Sequence, residues 1–127
     1  MAPRVQTRRT GKDGLVVLEG AVLLLEAAAD RCLSILAADP APGPEESFAL
    51  SDLGLAVRLA AGQARGLLPV HIEPDDVQAP GSSQHRDNPV ELVRAAEALT
   101  RTVPIEALPV GSSRVVVALC DLLREHG

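Results

Sequence analysis

An all-α fold, a four-helix bundle made of two helical hairpins joined by a long loop, is predicted by three observations. Apolar residues recur at helical spacing in four segments, those segments are bounded by Pro, Gly or an Asn-Pro pair, and no run alternates as a half-buried strand would. The 127 residues fit a single domain, and a globule of that size buries roughly two thirds of its unfolded surface. The predicted division is a disordered basic arm over 1–13 and one helical-bundle domain over 14–127.

The first segment runs from about Leu15 to Ala38. Leu15, Leu18, Val22, Leu25, Ala29, Cys32 and Leu36 recur by threes and fours, which is a bundle seam. Val16, Val17, Leu23, Leu24, Ala27 and Leu33 make much of the remaining surface apolar, leaving a narrow stripe of Glu19, Glu26, Asp30 and Ser34 to face water. Asp39-Pro40 stops this helix. Pro44 suits the first position of the second, where Glu45 and Glu46 complement the positive helix end. That helix is predicted to reach Leu68, before Pro69, with Phe48, Leu53, Ala56, Val57, Leu59, Ala60, Ala64, Leu67 and Leu68 on its apolar side. Gly54, Gly62 and Gly66 form a ridge that permits close approach, each at about 1 kcal/mol of helix propensity.

Residues 69–88, rich in Pro, Asp, Ser and Gly, have no periodicity and read as a long loop. Within it, "HRD" at His85–Asp87 matches a kinase catalytic triplet in letters only. The glycine-rich loop, strand lysine and Asp-Phe-Gly that a kinase requires are missing. The residues that follow mark a helix start instead: Asn88 as N-cap, Pro89 at the first helical position and Glu91 where a capping-box side chain reaches back. This third helix runs to about Thr102, with Glu97 and Arg101 as a surface pair. One turn is expected at Ile105–Leu108. The fourth helix starts between Pro109 and Ser113 and buries Val115, Val116, Leu119, Leu122, Leu123 and His126, with Arg114, Asp121, Arg124 and Glu125 outward.

Composition narrows the function classes. The chain carries a net charge of −5, and its first twelve residues hold Arg4, Arg8, Arg9 and Lys12 with no acid, so the remainder is more acidic than the total. Nucleic acid, whose binding rests on phosphate neutralisation, is an unfavoured partner for such a body. A DNA-associated regulator using the basic arm remains an alternative. Phe48 is the only aromatic residue, so there is no stacking platform for single strands. Cys32 and Cys120 lack metal-type spacing and read as reduced core residues of a cytoplasmic protein. No membrane span is expected, since the apolar run Gly20–Leu25 falls far short of the ~20 residues required.

Candidate chemistry is sparse. "RGLLPVH" places Arg65 six residues before His71, which resembles the Arg-His signature of HEPN nucleases, helical proteins that often cut RNA as dimers. The resemblance implies a cationic Arg65 and an acid/base His71 acting on a ribose hydroxyl. Gly66 stands where that family usually has a polar residue, and Pro69 interrupts the helix between the two side chains. His71, Glu73, Asp75, Asp76, His85 and Asp87 gather metal-type ligands in the loop, where rigid outer-shell support is lacking. No metal site or cofactor is predicted. "RVVVALCDLLREH", Arg114–His126, resembles the last helix of small all-helical proteins of high-GC actinobacteria, implying a bacterial, cytosolic context and no particular activity.

The predicted function is therefore a non-catalytic protein-protein interaction or regulatory module, with a HEPN-like ribonuclease as the enzymatic alternative. The surplus of apolar surface on the first helix predicts a homodimer formed through the first or second helix. Its interface is expected to involve Leu15, Leu18, Val22, Leu25, Gly54 and Gly62.

Overall fold

The computed structural model describes residues 2–68 and 88–126, with side chains from Asp13 onward. Among these residues there are four α-helices and no strand: α1 Ala2–Leu36, α2 Pro44–Arg65, α3 Pro89–Thr100 and α4 Ser112–His126. A 3₁₀ turn, Ile105–Ala107, precedes α4.

Helix α1 begins at Ala2 rather than near Leu15, so the backbone of the expected disordered arm is helical. The local chemistry permits this. Pro3 falls in the first turn, where its missing N–H is not needed, and the Arg, Gln and Lys side chains that follow are good helix formers. Helix α2 stops at Arg65, three residues short of the expected end. Gly66 caps it, with its N–H donating to the carbonyls of Gly62 and Ala64. The pyrrolidine ring of a proline disfavours α geometry in the residue before it, so Pro69 discourages further helix at Leu68.

The start of α3 follows the sequence reading in one respect and departs in another. Asn88 Oδ1 accepts the Val90 N–H at 2.9 Å, as an N-cap should. Glu91 makes an ion pair with Arg94 one turn on instead of reaching back to the cap. Glu97 and Arg101 pair at 2.9 Å, but Glu97 is 8 % exposed and largely buried against α4 rather than lying on the surface.

The packing partners define a square. α1 lies against α2 and α3, and α4 lies against the same two helices. The Arg58–Asp30 ion pair and the approach of Gly54 to Cys32 make α2 antiparallel to α1. His126 meets Asp52 near one end of α2 while Gly111 meets Leu67 at the other, so α4 is antiparallel to α2. α3 leads into the turn that touches α1 at Gly14, on the N-terminal side of the part of α1 packed against α2. α2 and α3 thus run the same way, and Leu68 and Asn88 lie toward opposite ends of the bundle. α3 has 12 residues and a length of about 18 Å, so no short turn joins the two hairpins. This is the crossover topology of some four-helix bundles, and it accounts for the length of the connection.

The core is aliphatic. Leu18, Val22, Leu24, Leu25 and Ala28 of α1 are 0 % exposed, packed with Val57, Leu92, Val93, Val115 and Leu119. This placement corrects part of the interface expectation. Leu18, Val22 and Leu25 meet no second chain, because the chain's own helices enclose them completely; the surplus of apolar residues on α1 serves a helix with neighbours on two sides. Leu15 is half-buried, Gly54 faces the Cys32 side chain, and Gly62 alone of the six opens to solvent.

Both cysteines are free thiols. Burial pushes the Cys32 thiol above its ordinary range, because the apolar core disfavours the thiolate. A pKa raised on folding contributes stability that is full below the unfolded thiol's pKa and is lost as pH rises through the folded value. Stability should therefore decline in alkaline solution, and Cys32→Ala should flatten that decline while lowering stability overall. A disulfide reagent should label half-buried Cys120 first and Cys32 only at the rate of opening.

Candidate functional site

Helix α2 is apolar on two sides. Leu53, Val57, Ala60, Ala61 and Ala64 face the core, as the period of 3.6 residues requires. Phe48, Leu55 and Leu59, spaced by seven and then four, share a different face and are 82 %, 62 % and 62 % exposed. The expected apolar side of this helix groups Phe48 and Leu59 with Leu53 and Val57. At about 100° per residue, five positions carry Leu53 some 140° around from Phe48, so the two sets point in different directions.

Phe48, the chain's only aromatic side chain, stands in solvent at one end of this outer face. Gly62 lies at the other end, seven residues beyond Leu55, and a Cβ added there meets nothing within 4 Å. Ser51 and Asp52 complete the strip. Leu55 also borders a shallow groove between α1 and α2, formed with Leu33, Leu36 and Leu50. Leu33 is itself 53 % exposed.

Beside this apolar surface runs a groove in which the charged side chains of Glu26, Asp30, Arg58 and Arg65 join Ala29, Ala61 and Gly62. Arg65 holds Glu26 with two hydrogen bonds, Nη2 to Oε1 at 3.1 Å and Nε to Oε2 at 3.2 Å. Its Nη2 also lies 3.7 Å from Glu19 Oε1. Glu19 was expected to face water; it is instead 8 % exposed, and the nearby guanidinium offsets the cost of placing a carboxylate there. Arg65 is thus bound to the chain's own carboxylates, which does not match the substrate-facing cation of a nuclease. His71, Glu73, Asp75, Asp76, His85 and Asp87 lie outside the described residues.

One chemical cluster had no counterpart in the sequence reading. Asp52, Glu125 and His126, from α2 and the last turn of α4, bring their carboxylate oxygens and an imidazole nitrogen within 4.8 Å of one another. Only the pairing of α2 with α4 creates it, and nothing in the linear spacing from 52 to 125 announces that pairing.

Fold and surface together define a small all-α bundle whose second helix carries an apolar outer face. No protein-family model matches the chain, and no significant match is found among curated proteins or solved structures. No helix among the described residues is long and apolar enough to cross a membrane.

Proposed function

We propose that the chain is a non-catalytic protein-interaction module that pairs with a second copy of itself through the outer face of α2. The observation that carries this reading is the display of Phe48, at 82 % exposure, in one stripe with Leu55 and Leu59. Isolated apolar side chains on a surface need no explanation, but a contiguous stripe rimmed by polar residues is the mark of an interaction site.

The stripe is also self-complementary. Leu55 lies midway between Phe48 and Gly62, seven residues from each. In an antiparallel pair related by a two-fold axis at Leu55, residues at equal and opposite offsets meet. Phe48 of one copy then covers Gly62 of the other, Leu59 meets Ser51, and the two Leu55 side chains touch on the axis. Away from the axis a large residue faces a small one, Phe48 against Gly62 and Leu59 against Ser51. This pairing gives a reason for Gly62, which costs about 1 kcal/mol against Ala in an exposed helix interior.

The test is molar mass by light scattering, with far-UV circular dichroism as the check on folding. The unsubstituted chain should be a dimer, and Leu55→Asp should be a folded monomer because it places two carboxylates together on the axis. Mixing Leu55→Asp with Leu55→Lys should restore a dimer of mixed composition. A strictly monomeric starting chain, or a dimer that tolerates Leu55→Asp, would overturn the proposal. The ribonuclease reading has no comparable support, since Arg65 is bound by Glu26 and Glu19.

A further inference from the structure

We propose that Asp52, Glu125 and His126 bind one divalent transition-metal ion, with zinc the best fit. The inference rests on the cluster at the junction of α2 and α4 and does not depend on the dimer.

The first observation is an unsatisfied nitrogen. His126 Nε2 is buried and has no hydrogen-bond partner, although buried polar atoms nearly always have one. The second is a separation. Nε2 lies 3.4 Å from Asp52 Oδ2, longer than the roughly 2.7–3.2 Å of an N–H···O hydrogen bond. Two ligand atoms each about 2.05 Å from a tetrahedral zinc ion stand about 3.35 Å apart. The separation is long for a hydrogen bond, within reach of an ion pair, and equal to the width of one edge of a zinc tetrahedron.

The remaining chemistry agrees. Glu125 offers a third ligand atom within 4.8 Å of the other two; its side chain is exposed and free to adjust, and water completes the coordination. One imidazole with two carboxylates suits zinc, whereas calcium and magnesium favour all-oxygen sets. Two carboxylates balance the charge of a divalent ion. The group sits on the final turn of α4, whose carbonyl end carries partial negative charge and favours a cation. Because the ligands come from two helices, a bound ion would fasten the end of α4 to α2 and stabilise the folded chain by mass action.

The experiment is calorimetric titration of zinc chloride into the full chain after chelator treatment and dialysis, paired with thermal unfolding. One equivalent of zinc per chain should bind and raise the unfolding temperature, and cobalt in its place should give the visible absorption of a four-coordinate ion. His126→Gln and Asp52→Asn should each weaken zinc binding by more than roughly tenfold, a loss that removal of outer-shell partners alone reaches, and should abolish the thermal shift. Circular dichroism confirms that each variant is folded. If His126→Gln unfolds the chain, the exposed substitution Glu125→Gln takes its place and should weaken binding in the same direction. No zinc-dependent heat would reduce the cluster to a histidine–aspartate ion pair and overturn the proposal. Full binding in all the folded variants would overturn it equally, because the ion would then lie elsewhere.

Discussion

Leu25→Ala should lower folding stability by about 2–5 kcal/mol, the cost of removing a buried leucine side chain and leaving a cavity. Leu25 is 0 % exposed, and its neighbours belong to tightly packed helices that can collapse only in part. The same residue would behave differently on a partner-facing surface, where truncation weakens association and spares the monomer. The measurement is urea unfolding followed by far-UV circular dichroism, since the chain has no Trp or Tyr. Carrying Leu25→Ala in the Leu55→Asp background removes association through α2 from the reading. The midpoint should fall at every protein concentration by the same amount. Leu33→Ala on the same helix supplies the contrast: Leu33 is 53 % exposed, and its truncation should cost within about 0.5 kcal/mol, as for ordinary surface positions. Equal effects at Leu25 and Leu33 would mean that α1 is not enclosed by α2 and α3.

The helices themselves were legible because their punctuation is local. Pro44 behind Gly43, Asn88-Pro89 and the break before Ser112 each act through the residue's own backbone or cap chemistry, so the sequence alone places them within a few residues. The extension of α1 to Ala2 is not legible by that route: chain termini are commonly poorly ordered, while the helix propensity of the Arg, Gln and Lys residues there points the other way. The allocation of apolar faces was harder. A helix that is apolar all round is consistent with a central position or with a second partner, and periodicity does not choose between them. For α1 the answer is burial against two neighbours, α2 and α3. For α2 the seven-residue step from Phe48 to Leu55 was present in the sequence, but grouping all apolar residues into one side concealed it. The candidate zinc ligands depend on a contact between residues more than seventy positions apart, and pairings of that kind are set by topology.

Gly14 and Gly62 should respond in opposite directions to the same substitution, Gly→Ala. Both lie inside helices, where Ala is favoured by about 1 kcal/mol. At Gly14 an added Cβ would sit 2.7 Å from the Ala107 carbonyl carbon and 3.2 Å from Leu108 Cα, and it would also collide with the Ala107 oxygen. These are backbone atoms of the turn leading to α4, so no side-chain rotation relieves the clash. Overpacking of this kind costs about 1–3 kcal/mol or more, enough to offset the propensity gain, and Gly14→Ala should destabilise the chain by roughly that amount. At Gly62 nothing lies within 4 Å of the added carbon, so Gly62→Ala should stabilise a monomeric background by about 0.5–1 kcal/mol. In the unsubstituted background the new methyl group occupies the space that receives Phe48 of the second copy. Gly62→Ala should accordingly weaken the dimer while strengthening the fold of each chain. Thermal unfolding of the Leu55→Asp monomer reads the first effect, and light scattering over a dilution series of the unsubstituted chain reads the second. A substitution that improves the fold and damages association at once identifies a glycine retained for its partner, whereas a gain in both would remove the large-to-small match between Phe48 and Gly62 from the interface.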